Sequence, residues 1–288
     1  MKFLNLFLII FLFFSNIAKA AECNDIYSAL VFREDDGEIL FENRSDQICY
    51  PASLVKVMTL YLTFDALAKQ KLTMDQNITV SERGEEVSKV NKVNTMRLRQ
   101  GDKITVKQAI SALIVKSFNE AAVTLAEAIS GDEWSFARKM NETAKKLKMY
   151  NTSFRNASGL HEEGQYTTAY DLARLIQALK KDFPQYYGLF ALKDFSYRGK
   201  KYETHNFVLL EYNGAEGMKT GFTNASGYNL ISAAKRNNQR IFSILLGCGN
   251  NNKRDEFTME LLDDGFDKLT QAKQCKREKV VSNFNYGK

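Results

Sequence analysis

Three short clusters in this 288-residue chain carry residue types that could do chemistry together. The first is Pro51-Ala52-Ser53-Leu54-Val55-Lys56. A serine hydroxyl is a weak nucleophile until a neighbouring group takes its proton. Lys56 stands three residues on, so in a helix it shares a face with Ser53. From Leu54 to Leu67 the sequence is apolar on nearly every side, through Val57, Met58, Leu60, Leu62 and Phe64, which is the pattern of a buried helix. An amine placed there loses hydration, its charged form is disfavoured and its pKa falls. Lys56 can then act as a neutral base, and the positive end of the helix dipole favours negative charge developing at Ser53. The competing reading has Ser53 as a helix cap and Lys56 reaching back to water. The pair alone does not separate the two, because Ser-x-x-Lys arises by chance roughly once or twice in a chain of this size. Ser232-Ala233-Ala234-Lys235 is a second match, but it falls in a predicted strand, where positions i and i+3 face opposite sides.

The second cluster, Lys116-Ser117-Phe118-Asn119, lies between helical stretches, and the third, Lys219-Thr220-Gly221-Phe222, opens a late strand pair. Ser117 could relay a proton toward a leaving amine. Asn119 could hold a substrate amide and Lys56. Lys219 would supply positive charge for Ser117 and an anionic substrate, and Thr220 a hydroxyl for a carboxylate. Gly221 lets a substrate backbone lie along the strand edge. Backbone N–H groups of Ser53 and Phe222 would form an oxyanion hole. Ser-x-x-Lys, Ser-x-Asn and Lys-Thr-Gly in this order form the signature of penicillin-binding proteins and serine β-lactamases.

These clusters need a scaffold. Ile26 to Arg33 and Glu38 to Asn43 read as a hairpin around Glu34-Asp35-Asp36-Gly37. A helix-rich middle runs from Ser53 to about Lys181. Gly227 to Arg236 and Arg240 to Cys248 read as an antiparallel strand pair around Asn237-Asn238. Arg254 to Lys268 reads as a helix with Phe257, Leu261, Leu262 and Phe266 on one face. Early and late strands with helices between them predict an α/β fold: one mixed sheet completed by both chain ends and covered by helices.

The first residues address the compartment. Met1-Lys2, the apolar run Phe3 to Phe14 and Ala18-Lys19-Ala20 read as a secretory signal peptide over 1–20, cleaved after Ala20. The run is shorter than the roughly 20 apolar residues that cross a bilayer. Glu22 before Cys23 argues against a lipoprotein signal, which needs a small residue there. Roughly 270 residues remain, room for one large domain or two small ones. The expected organisation is a catalytic domain over 21–272 and a basic tail over 273–288. The tail carries too few apolar residues at helical spacing for a membrane interface, so no membrane anchor is expected. The formal charge of +6 suits anionic surroundings such as a cell wall. No basic cluster interleaved with aromatics points to nucleic acid. Two isolated histidines, His161 and His205, make neither a metal site nor a Ser-His-Asp triad, and neither metal nor cofactor is expected. Extending the opening hairpin's register sets Cys23 opposite Cys49 and predicts a bridge there, with a second between Cys248 and Cys275.

Over nearly the whole mature length the chain resembles the low-molecular-weight penicillin-binding proteins of the D-alanyl-D-alanine carboxypeptidase family. Besides the motifs, Asp36-Gly37-Glu38-Ile39-Leu40, the stretch from Gly159-Leu160 through Tyr166-Thr167-Thr168-Ala169-Tyr170-Asp171-Leu172-Ala173, and Lys219 to Leu230 are similar to family segments. Arg254, seven residues before Leu261-Leu262, matches a family arginine that helps bind a terminal carboxylate. The resemblance implies a DD-peptidase/β-lactamase-like fold: a mainly antiparallel five-stranded sheet flanked by helices, with a helical subdomain. It implies Ser53, Lys56 and Ser117 as catalytic residues and Asn119, Lys219, Thr220, Gly221, Phe222 and Arg254 as substrate-binding ones. Three departures stand out. Phe118 is bulky where the family often has a small residue, which predicts a reshaped cleft roof. His205 stands where the family often carries a further arginine. The C-terminal β-rich domain and amphipathic anchor of many relatives are not expected here.

The implied activity is that of a serine carboxypeptidase secreted across the cytoplasmic membrane, periplasmic or extracytoplasmic. It would remove the terminal D-alanine from peptidoglycan stem peptides through a Ser53 acyl-enzyme, with β-lactam antibiotics as inhibitors. A DD-endopeptidase would use the same residues. A serine β-lactamase would need a carboxylate that activates water, and no Glu-x-x-Leu-Asn pattern precedes Lys219. A catalytically silent wall-binding module is disfavoured by the intact motif residues.

Overall fold

The computed structural model describes residues 27–90 and 94–285, without the side chains of 273 and 275–285. Strands β1 (Ser28–Arg33) and β2 (Ile39–Asn43) form the expected hairpin, with Ala29 opposite Asn43. A 3-10 turn over Ala52–Val55 leads into helix α1 (Lys56–Ala68), which is buried on nearly every side. A helical block follows: β3 (Asn77–Thr79), α2 (Glu82–Val90), β4 (Lys103–Thr105), α3 (Val106–Val115), α4 (Asn119–Ser130) and α5 (Glu133–Lys146). Helix α3 starts on a capping box in which Thr105 and Gln108 exchange side-chain and backbone hydrogen bonds. Helix α6 (Ala169–Asp182) starts on Thr168, whose hydroxyl accepts from Asp171 N at 3.0 Å. Then come α7 (Pro184–Tyr187), the small hairpin β5 (Asp194–Tyr197) and β6 (Lys200–Glu203), and α8 (Phe207–Glu211). The chain closes with β7 (Ala215–Thr223), β8 (Gly227–Arg236), β9 (Gln239–Cys248) and α9 (Asn251–Asn285).

Both chain ends complete one five-stranded sheet in the order β2-β1-β9-β8-β7, and every pairing is antiparallel. Side chains alternate faces along each strand. Leu30, Phe32, Ile231, Phe242 and Ile244 join the core that contains α1 and α6. Val31, Leu230, Ile241 and Leu245 join the core that contains the Phe257, Leu261, Leu262 and Phe266 stripe of α9. Each such side chain, fully buried, contributes about 1.5–3 kcal/mol. Because the central strands are buried on both faces, they read as apolar runs rather than as alternation. Strand β7 lies at one edge of the sheet, and that edge forms a wall of the cleft described below.

Two expectations need correction. Cys49 is a free thiol, so the Cys23–Cys49 bridge is not made. The hairpin ends at Asn43, and Cys49 instead exchanges backbone hydrogen bonds with Thr167, at 2.8 and 2.9 Å. Cys248 is disulfide-bonded, and its partner lies outside the described residues, as do Cys23 and the side chain of Cys275. The last helix continues well past Lys268, to Asn285. The expected signal peptide over 1–20 lies outside the described residues. No helix among the described residues is long and apolar enough to cross a membrane.

Candidate active site

A cleft of about 450 Å³ opens between the start of α1, the α3–α4 turn and the β7 edge. Of the sequence-predicted residues, Ser53, Ser117, Asn119, Thr220, Gly221, Phe222 and Arg254 line it. Lys56 and Lys219 lie behind that lining, buried to 0% and 1% exposure.

Ser53 sits in the 3-10 turn that precedes α1. Its position is fixed by close backbone approaches. Gly159 has φ +83°, and a Cβ there would stand 2.0 Å from the Ala52 carbonyl oxygen. Only glycine fits such a position. On the other side, a Cβ on Gly221 would stand 3.2 Å from Ser53 N, so the bare strand edge abuts the nucleophile. Asn229 ties the turn to the sheet: its Nδ2 donates to the Tyr50 and Pro51 carbonyls at 3.0 and 3.1 Å, and its Oδ1 accepts from Gly247 N at 2.8 Å.

The Lys56 amine has three oxygen partners. They are Ser53 Oγ at 3.0 Å, Asn119 Oδ1 at 2.7 Å and the Ser158 carbonyl. Burial first, and then the charge of Lys219, push its pKa well below the ordinary lysine value, while Glu120 acts in the opposite direction. A neutral amine has two N–H donors and one lone pair. Asn119 Oδ1 and the Ser158 carbonyl only accept, so they take the two donors. The Ser53 hydroxyl is the one partner able to donate, and the lone pair is left for its proton.

Ser117 has φ +62° and is buried, and its Oγ has no hydrogen-bond partner among the described residues. A buried hydroxyl without a partner is uncommon and is satisfied once a ligand group arrives. Across the cleft, Lys219 Nζ donates to the Thr220 carbonyl at 2.8 Å. Burial and the charge of Arg254 push its pKa down to about 7. Arg254 is itself buried, with Nε 2.9 Å and Nη2 2.5 Å from Asp255 Oδ1. No carboxylate lines the cleft among the described residues. The strand side therefore presents positive charge with little compensation, the electrostatics of an anion site.

Two of the departures are resolved by position. Phe118 is buried and packs edge-on against Phe195 and Tyr202, and it is not among the described residues that line this cleft. His205 does line the cleft, with Nε2 2.9 Å from Thr220 Oγ1. Sequence reasoning missed the Ser158 carbonyl, Gly159 as a packing requirement, Asn229 and buried Glu120. Glu120 accepts from Thr95 Oγ1 and Met96 N, both at 2.6 Å. The run Asn156-Ala157-Ser158-Gly159 was a visible turn signal, but an acceptor on the backbone has no residue-type signature. In contrast, Ser232 and Lys235 lie on β8 away from the cleft, as expected for the chance match.

A five-stranded antiparallel sheet, with helices on both faces and a serine–lysine pair at the head of a buried helix, is the fold of the DD-peptidase penicillin-binding proteins. The Peptidase S11 model, D-alanyl-D-alanine carboxypeptidase, matches residues 16–250, and the chain belongs to this family. It is 32% identical over 265 residues to the D-alanyl-D-alanine carboxypeptidase DacF of Bacillus subtilis, covering 91% of this chain and 67% of that one. It is 34% identical over 233 residues to DacC of Escherichia coli, covering 80% and 58%. The crystal structure of penicillin-binding protein D2 from Listeria monocytogenes in its ampicillin-bound form superposes with a TM-score of 0.73 at 31% identity. That match covers 83% of this chain and 96% of the other. The chain thus spans 58–67% of the length of these two curated relatives.

Proposed function

We propose that this chain is a serine D-Ala-D-Ala carboxypeptidase of peptidoglycan stem peptides. Ser53 Oγ attacks the carbonyl carbon between the two D-alanines while its proton passes to Lys56 Nζ. The oxyanion is held by the backbone N–H groups of Ser53 and Phe222. The C–N bond breaks, and the leaving D-alanine amine takes a proton through Ser117. Water then hydrolyses the ester to free Ser53. Asn119 holds the substrate's amide. Thr220, Lys219 and Arg254 take its terminal carboxylate, and Gly221 leaves room for its backbone.

The observation that carries this reading is the set of contacts around Lys56 Nζ: two obligate acceptors and one hydroxyl able to give up a proton. The absence of carboxylates from the described cleft lining supports slow release of a penicilloyl adduct and disfavours the β-lactamase alternative. The ampicillin-bound relative supports β-lactams as inhibitors. An extracytoplasmic site of action is supported by the leader-like residues 1–20 and by the disulfide at Cys248, since such bonds persist in oxidising compartments.

The test is incubation of the mature protein with labelled penicillin and, separately, with a pentapeptide ending in D-Ala-D-Ala. A long-lived adduct on Ser53 together with D-alanine release is expected. Rapid penicillin turnover would instead mark a β-lactamase, and no adduct a silent module.

A further inference from the structure

We propose that His205 is a positioning residue for the acid end of the cleft: its Nε2–H donates to Thr220 Oγ1 and so turns the Thr220 hydroxyl proton toward a bound carboxylate. This deepens the reading of the cleft as a site for a peptide's terminal acid, and rests on it.

The ring is held in place without a ligand. Thr204 N donates to the Lys193 carbonyl at 2.7 Å, Asn206 N donates to Thr204 Oγ1 at 3.2 Å, and Asn206 Oδ1 caps α8 by accepting from Leu209 N at 3.3 Å. Between these two anchored residues, His205 Nε2 lies 2.9 Å from Thr220 Oγ1. Among the described residues His205 is the one hydrogen-bond partner of the Thr220 hydroxyl, while Lys219 Nζ donates to the Thr220 carbonyl.

His205 is not the cation that attracts the acid. The residue is exposed overall with its Nε2 turned to Thr220, and the charged groups that act on the ring are Lys219 of β7, Lys116 at the end of α3 and Arg254 of α9, all positive. Desolvation of the ring first, and then these charges, push its pKa down to about 3, so the imidazole is neutral at working pH. A neutral imidazole has one N–H and one lone pair. Two arrangements of the pair follow. If Thr220 donates to Nε2, the oxygen lone pairs face the cleft and repel an anion. If Nε2–H donates to Oγ1, the Thr220 proton is free to point into the cleft. A carboxylate only accepts, so it selects the second. Tautomer and occupancy are therefore linked: acid binding draws the ring to the Nε2–H form, and holding that form strengthens acid binding equally.

The test compares two substrates, an acyl-D-Ala-D-Ala peptide and its terminal methyl ester. His205→Ala is expected to lower the acid-over-ester preference in kcat/KM by roughly tenfold, the worth of one hydrogen bond to a charged group, mainly through KM. His205→Gln keeps an N–H donor and should restore much of the preference; His205→Leu should restore none. In a Thr220→Val background, His205→Ala should change the preference no further. In the unsubstituted protein, imidazole nitrogen shifts should report a protonated Nε2 when the acid is bound. The proposal is overturned if His205→Ala slows acid and ester alike, if its effect persists in Thr220→Val, or if Nε2 stays unprotonated in the complex. An unsubstituted protein that forms no penicillin adduct and releases no D-alanine would overturn the carboxypeptidase reading itself, and the role of His205 with it.

Discussion

At the helical wall of the cleft, Lys56 Nζ is enclosed by three oxygen partners, and every acceptor it needs is supplied by the protein. At the strand wall, Lys219, Arg254 and His205 crowd together, and among the described residues the one carboxylate that pairs with them, Asp255, is bonded to Arg254. Both walls depress the pKa of a buried lysine by desolvation, yet they leave it in different conditions. Lys56 is complete as a neutral amine. Lys219, pushed to about 7, recovers its charge when an anion arrives. The same residue type thus serves proton transfer at one wall and anion capture at the other, and the partners decide which.

The comparison breaks most visibly at the helical wall. Lys56→Ala should slow acylation of Ser53 by penicillin roughly 10³-fold, the scale of a lost general base. The circular-dichroism melt should stay cooperative. An unchanged rate would remove Lys56 as the base.

Lys219 offers a sharper test of the strand wall, through stability. Its folded pKa of about 7 lies below its ordinary value of 10.5, so between those values the unfolded chain holds the proton that the folded chain has lost. The unfolded state then binds more protons, and stability against denaturant should rise as pH climbs through that window. Lys56 contributes in the same direction. Lys219→Met should flatten this rise in a series of urea melts. An unaltered slope would mean that Lys219 titrates as an ordinary exposed lysine.

The smallest effect is expected far from both walls. Lys235 belongs to the chance Ser-x-x-Lys match and is exposed near the end of β8. Lys235→Ala should leave acylation within about twofold, as for ordinary surface changes. A large loss there would undo the choice between the two serine–lysine pairs.

What the sequence made legible follows from how local each signal was. Ser53 and Lys56 were readable because one helical turn fixes their relation and the apolar surroundings of the helix fix the chemistry. The β8–β9 pair was readable as two apolar runs around Asn237-Asn238, and both residues adopt positive φ, of 49° and 60°, in the turn. The end of α9 was not readable, because the apolar stripe ends near Leu269 while good helix formers such as Gln271 and Ala272 follow without Pro or Gly. Cys49 misled because pairing was extrapolated beyond the end of β2, where the chain turns away toward Thr167. The Ser158 carbonyl and the His205–Thr220 contact arise only when distant segments meet. No residue type or spacing announces them.

The most direct test of the account is the pH dependence of Ser53 acylation at saturating penicillin, where ligand capture by Lys219 no longer limits the rate. With Lys56 as a neutral base, the acylation rate should rise on an acid limb and reach its plateau well below the ordinary lysine value of 10.5. A rate that keeps climbing toward 10.5 would mean that Lys56 stays charged in the folded protein, which contradicts the account.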